Sequence, residues 1–395
     1  MPGWLSRAAA AGYRPGMPRF VRADGKIDIK SMSLAEIEAE LFGLGSERFR
    51  ALQVYKWLWQ RGVASFEAMS NVSKAARVML EQHFYISFLT VVAIQKSRDG
   101  THKFLWQTED GQRIESVLIP DDERTTLCVS SQVGCAMACS FCLTGDLGLR
   151  RHLRPSEIAN QPLQVRHALD AQHRITNVVL MGMGEPLHNL DNLIPALEIY
   201  LDGQGLNFSH RKVTVSTVGL VPQMRALADA LPVNLAVSLN ATTEEQRRSV
   251  MPITRKYSMQ ELLDACRELP LPTTKRITFE YVMMAEFNDS MDDAKRLVKL
   301  MRGIKSKINL IPYNENPDRD LRRPTDARVR AFQQHLVKHG LQASVRVTRG
   351  RDISAACGQL GKGDEDGSVN VDAKIAAVRI RREGEGLDPS FMPDP

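Results

Sequence analysis

Short apolar runs alternate with helical patterns through the second two-thirds of the chain, and this alternation restricts the fold more than any other feature. The strand-like runs are TLCVSS, ITNVVLMG, KVTVSTVG, VNLAVSLN, RITFEYVMM, INLIPY and SVRVT. Stretches such as PSEIANQPLQVRHALD and MQELLDACREL lie between them and are typical of helices. Strands that alternate with helices form a parallel sheet with covered faces. Six or seven such units predict an α/β fold that is a barrel or partial barrel, not a short doubly wound sheet.

Polar residues follow several of these strands directly, at the position where barrel enzymes bind ligands. The polar stretches are Gly182–Glu185, Ser216–Gly219, Ser238–Asn240 and Asn314. We therefore expect a ligand site at the carboxyl ends of the strands.

The pattern divides the chain into five parts. Residues 1–27 are rich in Ala, Gly, Pro and Arg and predict a flexible N-terminal extension; their arginines also allow a transit peptide. Residues 28–90 predict a small helical accessory domain, which begins with a capping-box spacing. Residues 91–124 carry two Asp-Gly pairs and predict a β-hairpin connector. The barrel is expected over 125–360 and a partly ordered C-terminal tail over 361–395.

Positive charge is concentrated in the first hundred residues. They contain 14 Lys and Arg against 9 Asp and Glu, a net charge of +5, whereas the whole chain carries +6. A basic module on a nearly neutral body is suited to nucleic acid, although a slightly basic solvated domain has the same composition. The accessory domain also holds Trp57 and Trp59, which we expect to be core residues and not base-stacking platforms.

Six cysteines occur, and three of them form a C-x3-C-x2-C array at Cys135, Cys139 and Cys142. No secretory segment or membrane-spanning apolar run is apparent, so a disulfide framework and a membrane domain are not expected. Three close thiolates can hold three corners of a cubane iron–sulfur cluster and leave one iron open to S-adenosylmethionine (SAM). A structural zinc site is the alternative, with His152 as a distant fourth ligand. Cys266 has no motif around it and is expected to be a buried apolar residue.

The motifs around these cysteines resemble a known family. LCVSSQVGCAMACSFCLTG, VLMGMGEPLHN, VTVSTVG, SLNA, NLIPYNE and RGRDISAACGQL are similar in order and spacing to the RlmN-type dual-specificity RNA methyltransferases of the radical SAM superfamily. The resemblance covers about residues 30–360. It implies a partial (β/α)6 radical SAM barrel with a small N-terminal helical accessory domain, a [4Fe-4S] cluster on the three cysteines, and two SAM molecules per turnover.

The resemblance also implies roles for three further residues. Cys357 is implied to receive a methyl group from one SAM, and a radical derived from the second SAM then activates this methyl group for addition to an adenine ring. Cys128 is implied to release the product from Cys357 by forming a disulfide. Glu115, in RIESVLIP, matches the proton acceptor.

SAM contacts are implied at seven positions: Gly184, Glu185, Ser216, Ser238, Leu239, Asn240 and Asn314. Asn240 lies in SLNA, where many relatives have SLHA, so a contact of its side chain is less certain than one of its backbone.

The implied activity is methylation of adenine carbon 2 in 23S rRNA and in some tRNAs. A Cfr-type enzyme that methylates carbon 8 is an alternative, and so is a non-catalytic RNA-binding protein with a structural metal. Expected partners are 23S rRNA, tRNA and an electron donor such as flavodoxin. The protein is expected to be a cytoplasmic monomer. RNA recognition is implied for the accessory domain, which holds Arg50, Gln53, Lys56 and Trp57.

Overall fold

The computed structural model describes residues 20–168, 174–272, 274–316 and 319–361. Most of the predicted extension 1–27 and all but the first residue of the predicted tail 361–395 lie outside these ranges. The described helices are α1 (Leu34–Gly43), α2 (Phe49–Lys56), α3 (Lys74–His83), α4 (Leu143–Asp146), α5 (Pro155–Ala168), α6 (Leu190–Leu201), α7 (Val221–Ala230), α8 (Glu244–Val250), α9 (Met259–Glu268), α10 (Met291–Leu300) and α11 (Asp326–Lys338).

Ten of the fourteen described strands form one sheet, in the order β14-β13-β12-β11-β10-β9-β6-β5-β4-β3. The four outside it pair as β1 with β2 and β7 with β8. The strands are β1 (Ile27–Asp28), β2 (Phe84–Tyr85), β3 (Thr90–Lys96), β4 (His102–Gln107), β5 (Arg113–Asp121), β6 (Arg124–Cys128), β7 (Gln132–Gly134), β8 (Leu149–His152), β9 (Asn177–Leu180), β10 (Val213–Thr217), β11 (Asn234–Ser238), β12 (Ile277–Met283), β13 (Ser306–Pro312) and β14 (Ala343–Val345).

The seven strand-like runs of the sequence are seven parallel strands, β6 and β9 to β14. Helices connect each to the next, and this gives six β/α units followed by a short edge strand. The edges of the sheet, β3 and β14, do not pair with each other, so the described barrel is open. The predicted partial (β/α)6 barrel is therefore confirmed.

An antiparallel extension lies on the β6 side of the barrel. β3 to β6 pair in succession, with Val117 opposite Cys128. Thus residues 91–124 are part of the barrel's own sheet. Because β5 runs against β6, the start of β5 lies at the same end as the ligand-binding ends of the parallel strands.

The accessory module is built from α1 to α3 and the β1–β2 pair. Its first helix has the predicted capping box: Ser33 Oγ accepts the Glu36 N–H, and Glu36 Oε2 accepts the Ser33 N–H at 2.7 Å. Trp59 is fully buried, as predicted. Trp57 is half-buried, and its indole N–H donates to Asn71 Oδ1.

Helix α5 joins the accessory module to the barrel through buried polar side chains. Lys30 Nζ of the module donates to Asn160 Oδ1, and Gln164 holds the Leu89 backbone at both its N–H and its carbonyl. On the barrel side, Gln161 makes the same paired contact with Ser130. Buried amides need such hydrogen-bond partners, so these contacts fix the position of the accessory module against the barrel.

No described helix is long and apolar enough to cross a membrane.

Candidate active site

The cysteine loop, residues 135–142, follows β7 at the carboxyl end of the barrel. β7 and β8 form a short hairpin at its base, where the Cys135 N–H donates to the Gly148 carbonyl at 2.9 Å. Gly134 has a φ of +74°, and a Cβ there would lie 1.8 Å from the Gly148 oxygen. Only glycine therefore permits this close approach.

A cavity lies beside the cysteine loop, across the ends of the parallel strands. The sequence-predicted residues that line it are Cys135, Cys139, Cys142, Gly184, Glu185, Ser216, Ser238, Asn240, Asn314 and Cys357. Three predicted residues do not line it: Glu115, Cys128 and Leu239.

The three thiols of the loop suit a metal cluster. Burial raises the pKa of Cys135 to about 12 and raises the pKa values of Cys139 and Cys142 as well. Buried thiols ionise only beside compensating positive charge, which iron supplies. Among the described residues, no three Cys, His, Asp or Glu side chains are grouped to hold one metal ion. His152, the distant fourth ligand in the zinc alternative, hydrogen-bonds Gln132.

Glu185 is the buried carboxylate of the cavity. Its oxygens accept the N–H groups of Leu187 at 3.1 Å and Val218 at 2.8 Å. Burial raises its pKa to about 7, although these hydrogen bonds and one from Thr217 act in the opposite direction. A ligand ammonium would favour its charged form, so Glu185 is suited to the amino group of SAM.

Neighbouring strand ends use their polar groups in two ways. Ser216, the penultimate residue of β10, and Ser238, the last residue of β11, line the cavity. The Asn240 side chain is already engaged, because its Oδ1 accepts the Val282 N–H at 2.8 Å and its Nδ2 contacts Met251 Sδ. Leu239 is fully buried, and its N–H donates to the Glu280 carbonyl. The Asn240 carbonyl also accepts Asn288 Nδ2 at 2.8 Å, so both the side chain and the carbonyl of Asn240 are held within the protein.

Two buried polar atoms of the wall have no hydrogen-bond partner among the described residues. They are the Tyr313 hydroxyl and Asn314 Oδ1, whereas Asn314 Nδ2 donates to the Cys357 carbonyl at 3.1 Å. Such atoms are expected to meet a polar ligand. With Glu185 they make this cavity chemically fit for SAM.

Cys357 is carried by the C-terminal segment, residues 346–361, which passes over the open side of the barrel. The segment is tied to the cysteine loop, since the Leu143 N–H donates to the Gly358 carbonyl and Thr144 Oγ1 donates to the Leu360 carbonyl, both at 2.8 Å. These contacts place Cys357 in the wall of the same cavity as the three loop cysteines.

Cys128 lies buried at the end of β6, close enough to Cys357 to affect its electrostatics. Burial raises the pKa of Cys128 to about 12, and the neighbouring Cys357 adds to this effect. Arg346 stands near both sulfurs, and the pKa of its guanidinium is raised, first by Cys357 and also by Glu280. Arg346 is a site residue that the sequence reasoning missed, because SVRVT shows a strand pattern and nothing more.

Glu115 is buried at the cavity's outer side. Its Oε1 lies 3.4 Å from Lys103 Nζ, and its Oε2 accepts the Gly361 N–H at 2.7 Å. The carboxylate thus anchors the far end of the C-terminal segment. Its predicted role as proton acceptor stays a prediction.

The accessory module exposes two phenylalanines beside arginines. Phe42 and Phe49 are 62% and 52% exposed. The guanidinium carbons of Arg48 and Arg50 lie 5.6 and 5.1 Å from the centroids of these two rings. We call these four residues the Phe–Arg surface. Arg50 also donates to Gln53. Two of the four residues named for the RNA-recognising module therefore lie in or beside the Phe–Arg surface.

Comparisons with known proteins agree with this site. The Radical SAM superfamily model matches residues 129–298, and the model of the ribosomal RNA large subunit methyltransferase N-terminal domain matches residues 27–86. A dual-specificity RNA methyltransferase RlmN from Syntrophotalea carbinolica is 52% identical over 92% of this chain and 97% of its own length. Another, from Pelobacter propionicus, is 54% identical over 85% and 96%.

A solved structure has the same fold. It is a radical SAM methyltransferase from Sphaerobacter thermophilus with a TM-score of 0.79 and 42% identity, and the match covers 84% of this chain and 98% of that one. Members of this superfamily use a [4Fe-4S] cluster and SAM, which the cavity accommodates. The chain belongs to the RlmN family of radical SAM RNA methyltransferases.

Proposed function

We propose that this enzyme methylates carbon 2 of a specific adenosine in 23S rRNA and in some tRNAs. One observation carries the proposal: Cys357 lines the same cavity as the three loop cysteines and Glu185. Direct transfer of a methyl group from SAM to a nucleophile would not need a thiol beside the cluster and SAM. Such a thiol suits a reaction in which the protein first holds the methyl group and then activates it. The names of the relatives, dual-specificity RNA methyltransferases, supply the RNA substrates.

In this proposal the loop cysteines hold the cluster, and Glu185 with the Gly184 backbone orients SAM. When bound, cluster and SAM together supply one-electron chemistry that can take hydrogen from an unreactive C–H bond. Ser216, Ser238, Asn314 and the backbone of the Leu239–Asn240 pair complete the SAM site.

Cys357 receives the methyl group as a thioether. After this methyl group has lost a hydrogen atom, its carbon bonds the adenine ring, and the one unpaired electron that remains on the adduct would be taken up by the cluster as the ring proton leaves. The Arg346 guanidinium lies near the Cys357 sulfur, and Cys357 is the main cause of the raised pKa of this guanidinium. Glu115 accepts the ring proton. To do so, Glu115 must either separate from Lys103 or receive the proton by way of Lys103.

Cys128 then attacks the sulfur of Cys357. The S–S bond forms as the carbon–sulfur bond breaks, and the electron pair stays with the product carbon, which takes up a proton. The resulting disulfide is reduced before the next cycle. Burial, with a smaller contribution from Cys357, raises the pKa of Cys128 to about 12, so this thiol is protonated at neutral pH.

The target adenosine leaves its stack to reach the buried cavity. The Phe–Arg surface supports RNA as the substrate, because exposed aromatic rings stack on unpaired bases while arginines contact phosphates. We further propose a monomer reduced by a donor such as flavodoxin, which analytical ultracentrifugation and anaerobic absorbance spectra test.

Mass spectrometry of adenosines after reaction with rRNA and tRNA fragments tests the proposed activity. We expect 2-methyladenosine in both RNAs. Formation of 8-methyladenosine would instead establish the Cfr-type reaction, and a protein that binds RNA but holds zinc and no iron would establish the non-catalytic alternative.

The Cys128→Ala variant tests the release step. Without Cys128 the adduct between Cys357 and RNA has no route to a disulfide, so a covalent protein–RNA species should accumulate on denaturing gels. The peptide that carries RNA in this species should contain Cys357. Cys266→Ala is the matched control, since Cys266 is a buried thiol in α9 and away from the cavity, and it should turn over normally. Normal turnover by Cys128→Ala would remove Cys128 from the mechanism.

A further inference from the structure

Gln132 lies directly behind the turn that carries Gly184 and Glu185. It is fully buried at the start of β7 and points towards this turn, not into the cavity. Its Oε1 accepts the Glu185 backbone N–H at 2.8 Å. Among the described residues, the Gln132 amide is the acceptor that satisfies this N–H.

The turn is pressed closely against this side chain. Gly184 has a φ of +99°, and a Cβ there would lie 2.5 Å from Gln132 Cβ. The backbone of the preceding residue is held from the same strand, because the Ser131 and Gln132 N–H groups both donate to the Met183 carbonyl. The position of Glu185 therefore depends on the strand that leads into the cysteine loop.

Two histidines fix the other end of the Gln132 amide. Its Nε2 lies 2.9 Å from His152 Nδ1 and 3.3 Å from His188 Nδ1. The rings of the two histidines meet edge to face with centroids 5.0 Å apart. Since the Glu185 N–H can only donate, the amide oxygen must face it, and the amide nitrogen must face the histidines.

This arrangement satisfies every polar atom of the Gln132 side chain. The two hydrogens of Nε2 have one acceptor each, provided that both imidazoles are neutral with their proton on Nε2. A side chain with all its hydrogen bonds made in a buried site has one rotamer available, so it can hold a neighbouring turn rigidly.

We propose that Gln132 is a positioning residue, which with His152 and His188 holds the Gly184–Glu185 turn in the conformation that binds SAM. The inference rests on the proposed function in that Glu185 is taken as the SAM contact. Gln132 touches neither ligand nor cluster; it acts through Glu185. It also joins the two halves of the site, because the strand that holds the turn leads directly to Cys135.

The test is SAM binding to anaerobically prepared, cluster-containing protein, measured by equilibrium dialysis. Gln132→Met keeps the length of the side chain but removes both hydrogen-bonding groups. Leaving the buried Glu185 N–H without a partner should weaken the Kd for SAM about tenfold or more. Gln132→Glu restores an acceptor for this N–H and should recover most of the affinity.

Gln164→Met is the matched control. Gln164 is also a buried glutamine that holds one residue's backbone at 2.8 and 2.6 Å, but it lies on α5 at the accessory module. It should lose comparable stability and keep the SAM Kd of the original protein. If Gln132→Met binds SAM within twofold of this control, Gln132 has no positioning role.

Glu185→Gln separates failure of this inference from failure of the proposed site. Loss of binding in Glu185→Gln without loss in Gln132→Met overturns only the role of Gln132. Unchanged binding in both overturns the assignment of Glu185 itself. Gln132→Met could fail to retain its cluster absorbance, and a second variant covers this outcome. His188→Leu changes an exposed residue and removes one hydrogen bond to the Gln132 amide. It should weaken SAM binding about two- to threefold.

Discussion

Glu185 combines a functional charge with a structural cost. It is buried among backbone donors, and its pKa is raised from the usual 4.5 to about 7 because burial disfavours the carboxylate. A raised pKa means that the folded protein holds a proton between these two values that the unfolded chain has lost. In the SAM-free protein this group's contribution to stability is therefore present below pH 4.5 and lost as pH rises through 7.

The Glu185→Gln variant should remove this dependence. The gap in pKa corresponds to about 3 kcal/mol, at about 1.4 kcal/mol per pH unit. Between pH 5 and pH 8, the difference in unfolding free energy should move in favour of the variant by up to this amount. Denaturant titrations of both SAM-free proteins at several pH values measure it, and parallel curves would contradict the assigned pKa.

At this scale the sequence predicted the cavity residues better than the contacts behind them. The three loop cysteines were found from their own spacing, whereas Glu185 and Cys357 were found through the family resemblance of the motifs around them. Gln132 and Arg346 were not found, because a buried amide and an arginine after an edge strand have no local pattern. Their nearest partners along the chain are 20 and 11 residues away, and only the packed fold brings them together.

Among elements, the β7–β8 hairpin has the strictest backbone requirement. Both Gly134 and Gly148 have positive φ values, +74° and +62°, but a Cβ at Gly148 meets nothing within 4 Å whereas one at Gly134 overlaps a carbonyl. The hairpin thus tolerates a side chain on one side of its pairing and not on the other.

The pair of variants Gly134→Ala and Gly148→Ala should behave differently. Gly148→Ala is destabilised only by the left-handed backbone conformation at this position, which costs about 1–2 kcal/mol of stability. Gly134→Ala bears that cost and must also move the strand away from Gly148, which breaks the hydrogen bond at Cys135. We expect an additional loss of about 2 kcal/mol or more and a lower iron content. Equal stability and equal iron in the two proteins would show that the hairpin yields without disturbing the cysteine loop.

The parallel strands were predictable as elements because each is an uninterrupted apolar run, which burial on both faces requires. The hairpin β7–β8 was not predicted. Its strands have three and four residues, and their pairing depends on the two glycines more than on any hydrophobic pattern.

In the whole molecule, Lys30 lies where the accessory module meets the barrel. It is fully buried, and its ammonium lies 4.7 Å from the Trp59 ring and 4.3 Å from the Phe88 ring. Burial lowers its pKa from the usual 10.5 to about 7, although Asp28 opposes this. The unfolded chain therefore binds more protons than the folded one between pH 7 and 10.5, so stability should rise with pH across this window.

Lys30→Met should remove that rise. Methionine fills a similar volume between the two rings, and its loss of the bond to Asn160 is the same at every pH. The stability of the variant relative to the original protein should thus improve as pH falls from 10 towards 7, by about 1.4 kcal/mol per unit. Lys26→Met, at an ion pair with the exposed Glu81, controls for the loss of one positive charge from the same module. A pH-independent difference for Lys30→Met would mean that water reaches Lys30 where module and barrel meet.

The order of strands in the large sheet has a consequence for how the protein is made. From β3 to β14 every strand pairs with the one that precedes it among the strands of that sheet, so a chain that emerges from its N-terminus can extend one growing edge without rearrangement. The antiparallel extension comes first and offers β5 and β6 as a template. The segment that carries Cys357 and closes over the cysteine loop is synthesised last. During synthesis, therefore, the cysteine loop is complete and open to iron and sulfide while about two hundred further residues are added. It is covered only when the C-terminal segment, residues 346–361, has been made.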